Sequence, residues 1–227
     1  MSETRAYFHN IRDTLTPNTQ AFIDGQYCDA ADGAKLENLN PATGEVIGTF
    51  SHCGAADVNR AVAAARRVFN QGTWSRAAPE YRKEILLKLA DLVDKNKNEL
   101  AVLESLDAGK TITDCLHEVG TEAPAFFRWY AELADKTFGK IAPTGDDALA
   151  LIVKEPAGVA GAVLPWNFPF LSHRSYGVPI VRDPHLDRIL PNFTPIGNQA
   201  RDKSRKLLMP KIIKGQYFPN RAWVVIS

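Results

Sequence analysis

The hexapeptide Leu164-Pro165-Trp166-Asn167-Phe168-Pro169 constrains this chain more than any other stretch. Just before it, Val159 to Leu164 is an uncharged run of small and branched apolar residues, the pattern of a short strand buried on both faces of a parallel sheet. The hexapeptide is then a strand end. Its two prolines fix φ, remove two backbone donors and push Leu164 and Phe168 toward extended conformations, so Asn167 is carried on a stiff loop. Ligands bind at strand ends in open parallel sheets, and a fixed side-chain amide there can donate to a developing oxyanion. Taken by itself, the hexapeptide fits a proline-stiffened surface turn equally well.

Leading up to that loop, the chain alternates between two styles. Gln20 to Phe50 interleaves apolar and polar residues around Gly25 and Asp32-Gly33, as short antiparallel strands and hairpin turns do, with a further turn at Asn40 to Gly44. From Asp57, Val58, Ala61, Val62, Ala65 and Phe69 recur at helical spacing, and Gly72 ends that helix. Pro79 opens a second helix, with Ile85, Leu86, Leu89, Leu92 and Val93 on one face. Glu99 to Leu106 reads as a third, capped at Gly109. Asp107 to Thr111 ends like a phosphate-binding loop, but such a loop needs glycine where Glu104 stands and follows a strand rather than a helix. A fourth helix from about Ala123 to Lys136 carries Phe126, Phe127, Trp129 and Tyr130, expected in core packing, and stops near Gly139. Ala148 to Glu155 reads as a strand paired with Ile141 to Thr144 across Gly145-Asp146.

Composition sets the outer limits. A 45% hydrophobic share and a net charge of +1 over 227 residues suit one or two soluble domains. No 18-residue apolar run occurs, and Met1 to Arg12 is charged, so neither a membrane span nor a secretory signal is expected and the cytoplasm is the expected compartment. Cys28, Cys53 and Cys115 have no C-x-x-C spacing, which argues against a disulfide framework or a zinc site. Cys115 and His117 lie two apart on a helix and do not share a face. Charge is unevenly spread. Residues 172–227 hold ten Lys and Arg against three Asp, whereas the first 171 hold seventeen against twenty-three Asp and Glu. The basic tail carries no helix-turn-helix, zinc-finger or RNP pattern, so nucleic acid is not an expected partner.

Glu155-Pro156-Ala157-Gly158-Val159-Ala160-Gly161-Ala162-Val163-Leu164-Pro165-Trp166-Asn167-Phe168-Pro169 resembles the EPxGVxxxxxPWNFP signature of NAD(P)-dependent aldehyde dehydrogenases. Further matches stand in the family's order upstream: Phe22 to Gly25, Asn40 to Ile47, Trp74-Ser75, Leu106 to Lys110 and Phe127 to Ala131. The resemblance covers about Gln20 to Phe170 and stops after Leu171. It implies an α/β fold, the N-terminal part of an aldehyde dehydrogenase: a helical layer, a β-hairpin and the first strand of a Rossmann-like parallel sheet. Residues 1–139 would be the N-terminal hairpins and helical layer of the cofactor domain, 140–156 an oligomerisation-type hairpin, and 157–171 the first strand and its loop. Residues 172–227 are expected to be a disordered or out-of-frame basic tail, the simplest account being a change of reading frame near codon 171.

The reaction implied by the resemblance is oxidation of an aldehyde to a carboxylic acid with NAD or NADP, by cysteine thiolate attack, hydride transfer and thioester hydrolysis. Residue by residue, Asn167 would donate to the oxyanion, Leu164, Pro165 and Trp166 would line the nicotinamide side of the cleft, and Phe168 would face the substrate. Asp107 with the Leu39 carbonyl matches a monovalent-cation site of some members; a solvated helix-end carboxylate is the plainer reading. The style is most similar to γ-glutamyl-aminobutyraldehyde and betaine-aldehyde dehydrogenases, which act on aminoaldehydes and betaine aldehyde. Family members are homo-oligomers, and the hairpin that pairs their subunits is present here. Because the family's nucleophilic cysteine and general-base glutamate have no counterpart in these residues, this chain is expected to be inactive and to bind the cofactor poorly. The alternative is a non-catalytic fragment that associates with full-length relatives through its hairpin.

Overall fold

The computed structural model describes residues 2–163, 167, 168, 170 and 223–226. The polypeptide begins with helix α1 (Ser2–Thr14), which the sequence reading did not anticipate. Its half-buried face is Phe8 and Ile11, three residues apart, and the Tyr7 hydroxyl accepts a hydrogen bond from Asn98 Nδ2 at 3.0 Å. Two hairpins follow, β1 (Ala21–Ile23) with β2 (Gln26–Cys28), and β3 (Lys35–Leu39) with β4 (Val46–Ser51), both antiparallel. The first is turned by Asp24 and Gly25 at φ 56° and 77°, the left-handed pair that a two-residue hairpin loop requires.

Helix α2 (Ala55–Gln71) ends on Gly72 as expected. Helix α3 runs unbroken from Pro79 to Ala108, where the sequence suggested two helices separated near Lys95 to Asn98. That polar stretch continues the helix because Lys95, Asn96 and Lys97 face solvent while Asn98 is engaged by Tyr7 of α1. Gly109 caps α3 at φ 70°, and a Cβ there would approach Pro41 Cγ to 2.8 Å, so both the backbone sign and the space call for glycine. The helix cap, not a phosphate loop, is what this glycine makes. Helix α4 (Ile112–His117) passes through a π-helical turn (Glu118–Glu122) into α5 (Ala123–Ala134), so the fourth helix starts at Ala123 as expected, but as the continuation of a longer rod, and it ends on Asp135, just short of Lys136.

The core lies between α3 and this second rod. Leu86, Ala90 and Val93 of α3 meet Val119 of the π turn and Ala123, Phe127 and Ala131 of α5, with Leu87, Leu100, Tyr130 and Phe170 packed against them. Of the expected stripe, Leu89 and Leu92 stay exposed, and of the aromatic cluster Trp129 is 58% exposed. A third antiparallel hairpin, β5 (Lys140–Ala142) with β6 (Ala150–Ile152), stands out from the layer with Ile141, Leu151 and Val153 in solvent. No helix among the described residues is long and apolar enough to cross a membrane.

Strand β7 (Ala160–Val163) forms where the apolar run predicts it. Its partner among the described residues is β8 (Trp223–Ile226), paired antiparallel from Ala160↔Ile226 to Val163↔Trp223, rather than a parallel neighbour. Four residues of the tail expected to lack order are therefore a strand. An apolar strand leaves a row of unpaired N–H and C=O groups at its edge, and the β-branched run Val224-Val225-Ile226 suits that row.

Candidate functional site

The site is built where β7 delivers its loop onto the C-terminal end of α3. Leu164, Pro165, Trp166 and Pro169 lie outside the described residues. Asn167 is exposed in a turn, and Phe168 is 42% exposed beside it. The loop is tied to the helical layer just after Asn167. The Phe168 ring lies under the Lys110 ammonium, with Nζ 4.0 Å from its centroid. The Phe170 N–H donates to Glu104 Oε2 at 3.2 Å, and Phe170 itself packs on the α3–α5 core.

Beneath the loop sits a charged group on an otherwise apolar face. Glu104 is 6% exposed, on the stripe of α3 that carries Leu86 and Val93. Lys110 Nζ is 3.6 Å from Glu104 Oε1 and 2.5 Å from Glu118 Oε2, so one ammonium serves two carboxylates. Gly109 reverses the chain to bring Lys110 back over α3, and Ser105 Oγ holds the turn by donating to the Lys110 carbonyl at 2.7 Å. Burial pushes the Glu104 carboxyl up to about 7, against the pull of Lys110 and the Phe170 N–H. Burial, aided by Glu104, pushes the Cys115 thiol up to about 12, which keeps it neutral and unreactive.

The sequence reading gave Glu118 no role, used Glu104 only to set aside a phosphate-binding loop, and met Lys110 only in that loop and in a matching segment. The available signal was Glu104 itself: five helical turns after Leu86 and three after Val93, it places a carboxylate in line with core residues, where burial demands a cation.

Of the other residues singled out, Asp107 stands in the last turn of α3, and its Oδ1 accepts a hydrogen bond from Asn38 Nδ2 at 2.7 Å. Leu39 follows Asn38 at the end of β3, so the structure does bring Asp107 and Leu39 to the same neighbourhood. No group of three or more His, Cys, Asp and Glu suited to a metal ion occurs among the described residues. Cys28 and Cys53 are half-buried and Cys115 is buried; all three are free thiols.

A helical layer handing over to an apolar strand, with an exposed side-chain amide just beyond the strand's end, matches the N-terminal part of an α/β dehydrogenase of the dinucleotide-binding type. The chain belongs to the aldehyde dehydrogenase family, whose profile matches residues 27–179 and so runs on past Leu171. It is 48% identical to the aminoacetaldehyde dehydrogenase of Pseudomonas aeruginosa over 168 residues, 74% of this chain and 34% of that protein. It is 42% identical to the NADP/NAD-dependent aldehyde dehydrogenase PuuC of Escherichia coli over 166 residues, 73% of this chain and 34% of that one. Among solved structures it matches the γ-glutamyl-γ-aminobutyraldehyde dehydrogenase of Burkholderia cenocepacia at TM-score 0.67 and 36% identity, covering 74% of this chain and 34% of that one. The indole-3-acetaldehyde dehydrogenase of P. syringae in complex with NAD+ and IAA matches at TM-score 0.67 and 34% identity, over 75% and 34%. The chain spans about a third of the length of the relatives it matches.

A nicotinamide dinucleotide is held by several strand ends and a helix N-terminus for its pyrophosphate. Among the described residues β7 offers one strand end, and its described partner runs the other way. The described residues do not by themselves fit the whole cofactor.

Proposed function

We propose that these residues supply the oxyanion-binding part of an aldehyde dehydrogenase site acting on aldehydes of the aminoaldehyde or betaine-aldehyde type, with NAD or NADP as oxidant. The observation that carries this reading is Asn167 standing in solvent at the end of β7 while the residues just after it are held on the helical layer. In that role the Asn167 amide donates to the carbonyl oxygen as it gains charge. A donor of this kind contributes about 3–4 kcal/mol, far short of the ~8 kcal/mol or more of a working enzyme. Leu164, Pro165 and Trp166 would line the nicotinamide side, and Phe168 the aldehyde side. Asp107 with the Leu39 carbonyl would hold a monovalent cation. Its compartment would be the cytoplasm, in keeping with its free thiols.

The same reading holds that the 227 residues alone do not turn over. The attacking group must be a thiolate within bonding distance of the carbonyl carbon that Asn167 polarises. Cys115 is buried and neutral, Cys28 ends β2 and Cys53 precedes α2, and burial together with Asp57 raises the Cys53 thiol. The test is NAD(P)H production by the purified chain with a panel of aminoaldehydes and betaine aldehyde, beside a variant with all three cysteines changed to serine. No turnover is expected from either; turnover lost in the variant would make one of these cysteines the nucleophile.

A second reading is favoured by the exposed hairpin: Ile141 and Leu151 are 72% and 61% exposed on β5 and β6, an apolar surface of the kind that pairs with another chain. In that reading the chain associates with a full-length relative and does no chemistry. Co-expression with the relative and light scattering on the purified material distinguishes a mixed oligomer from two separate species.

A further inference from the structure

We propose that Lys110, Glu104 and Glu118 form a clamp that sets the orientation of Asn167, with Lys110 and Glu104 as its positioning residues. That Asn167 is a group worth orienting rests on the function proposed above; the clamp itself does not.

Three observations converge. First, the contacts that hold the loop fall one and three residues beyond Asn167: the Lys110 ammonium over the Phe168 ring, and the Glu104 carboxylate on the Phe170 N–H. Ring and backbone are therefore fixed from the same side, by two side chains that are themselves joined. A cation over an aromatic face and a carboxylate on a backbone N–H are each stronger when desolvated, and both side chains are mostly buried. Second, Phe170 is anchored in the α3–α5 core, so the loop has a fixed point against which the two contacts act. Third, the clamp has more acid than base. Lys110 faces two carboxylates in a site that water hardly reaches, and such a group relieves the imbalance by holding a proton. Glu104 is the member that takes up this proton as pH falls through neutrality, since burial pushes it up to about 7, with Glu118 and the neutral Cys115 thiol as its other titratable neighbours and Asp114 beyond Cys115.

The state of the loop then follows the charge on Glu104. Ionised, the carboxylate accepts the Phe170 N–H in a charge-assisted bond and keeps Lys110 near the Phe168 ring. Protonated, it is a weaker acceptor, and Lys110 turns its attraction to Glu118. The loop is held more firmly as pH rises through neutrality.

The experiment is an amide titration of the whole 15N-labelled 227-residue chain from pH 5.5 to 8.5, following the Phe170 backbone N–H and the Asn167 side-chain NH2. Both resonances are expected to move with a common midpoint near 7. In Glu104→Gln both titrations vanish while the α3–α5 core amides stay in place. In Lys110→Met the midpoint moves to higher pH, and in Lys110→Arg it returns toward the wild-type value. A flat Phe170 resonance in the wild-type chain overturns the clamp, and this reading needs no variant to fold. A Phe170 titration that Asn167 does not share overturns the positioning of Asn167. A titration that persists in Glu104→Gln overturns the assignment to Glu104. None of these readouts involves turnover, so the clamp and the oxyanion role of Asn167 stand or fall separately.

Discussion

Two of the buried carboxylates among the described residues, one in α2 and one in α3, lose hydration alike and yet are shifted in opposite directions. Asp57, 2% exposed in the first turn of α2, sits below the usual carboxylate range. Its chief support is the Arg60 guanidinium at 2.6 Å, followed by the backbone N–H groups of Gly54 and Ala31, each at 3.0 Å. Glu104, 6% exposed near the end of α3, is pushed up to about 7. It has one backbone donor and shares its cation with Glu118. Lost hydration is common to both, so the number of donors that replace water decides which form is favoured. The first arrangement fastens the Ala31 loop to α2 permanently. The second leaves a contact whose strength changes near neutral pH.

The largest effect expected from this contrast is in stability against pH. The folded pKa of Glu104 lies above the ordinary carboxylate value of 4.5, so its contribution is fully present below pH 4.5 and is lost as pH rises to about 7. The loss amounts to about 3 kcal/mol at most. Asp57 acts in the reverse sense, its contribution present above pH 3.8 and lost only as pH falls through its lowered folded value. Urea unfolding of the wild-type chain and Glu104→Gln at pH 5 and pH 8 checks this. A slope as steep in the variant as in the wild type would remove Glu104 from the account.

Next in size is Lys110→Met, which strips the shared cation from Glu104 and Glu118. A loss of about 2 kcal/mol is expected at pH 8 and less at pH 5.5, where Glu104 holds its proton. Equal losses at the two values would show that the ammonium matters for packing alone. The smallest effect is expected from Asp57→Asn, which keeps an acceptor for one backbone N–H and loses the charged bond to Arg60. It should lower the melting temperature by the same amount at pH 5 and pH 8. A pH-dependent loss there would erase the distinction between the two sites.

How far each region was legible follows the same division. Local rules reach α2 and its Gly72 cap, the Asp24-Gly25 turn, the β5–β6 hairpin and the apolar run of β7, because each is specified within a few residues of itself. They fail for α3, where Lys95 to Lys97 read as a break although three exposed polar residues are ordinary on a helix packed along one face. They also fail for β7, whose partner is sixty positions away. At the candidate site, Asn167 and Phe168 were visible through their prolines and their motif. Glu118 was not, because its meeting with Lys110 depends on Gly109 reversing the chain and on an irregular turn between α4 and α5, and neither is encoded by side-chain periodicity.

That irregular turn makes the chain's residue count matter as much as its chemistry. Glu118–Glu122 holds one residue more than an α-helix of the same rise would, and the surplus is absorbed without breaking the rod. Wound as regular α-helix, the same five residues would have to carry the surplus as extra rotation. Each residue turns an α-helix by about 100°, so α4 would rotate by about that angle against α5. Cys115 would leave the interior and Glu118 would swing away from Lys110, although every side chain of the cluster would still be present. The π turn thus holds Cys115 and Glu118 in phase with α5, and a one-codon deletion of Thr121, which removes the surplus residue itself, is expected to keep that phase and leave the cluster intact, as are substitutions at this exposed position.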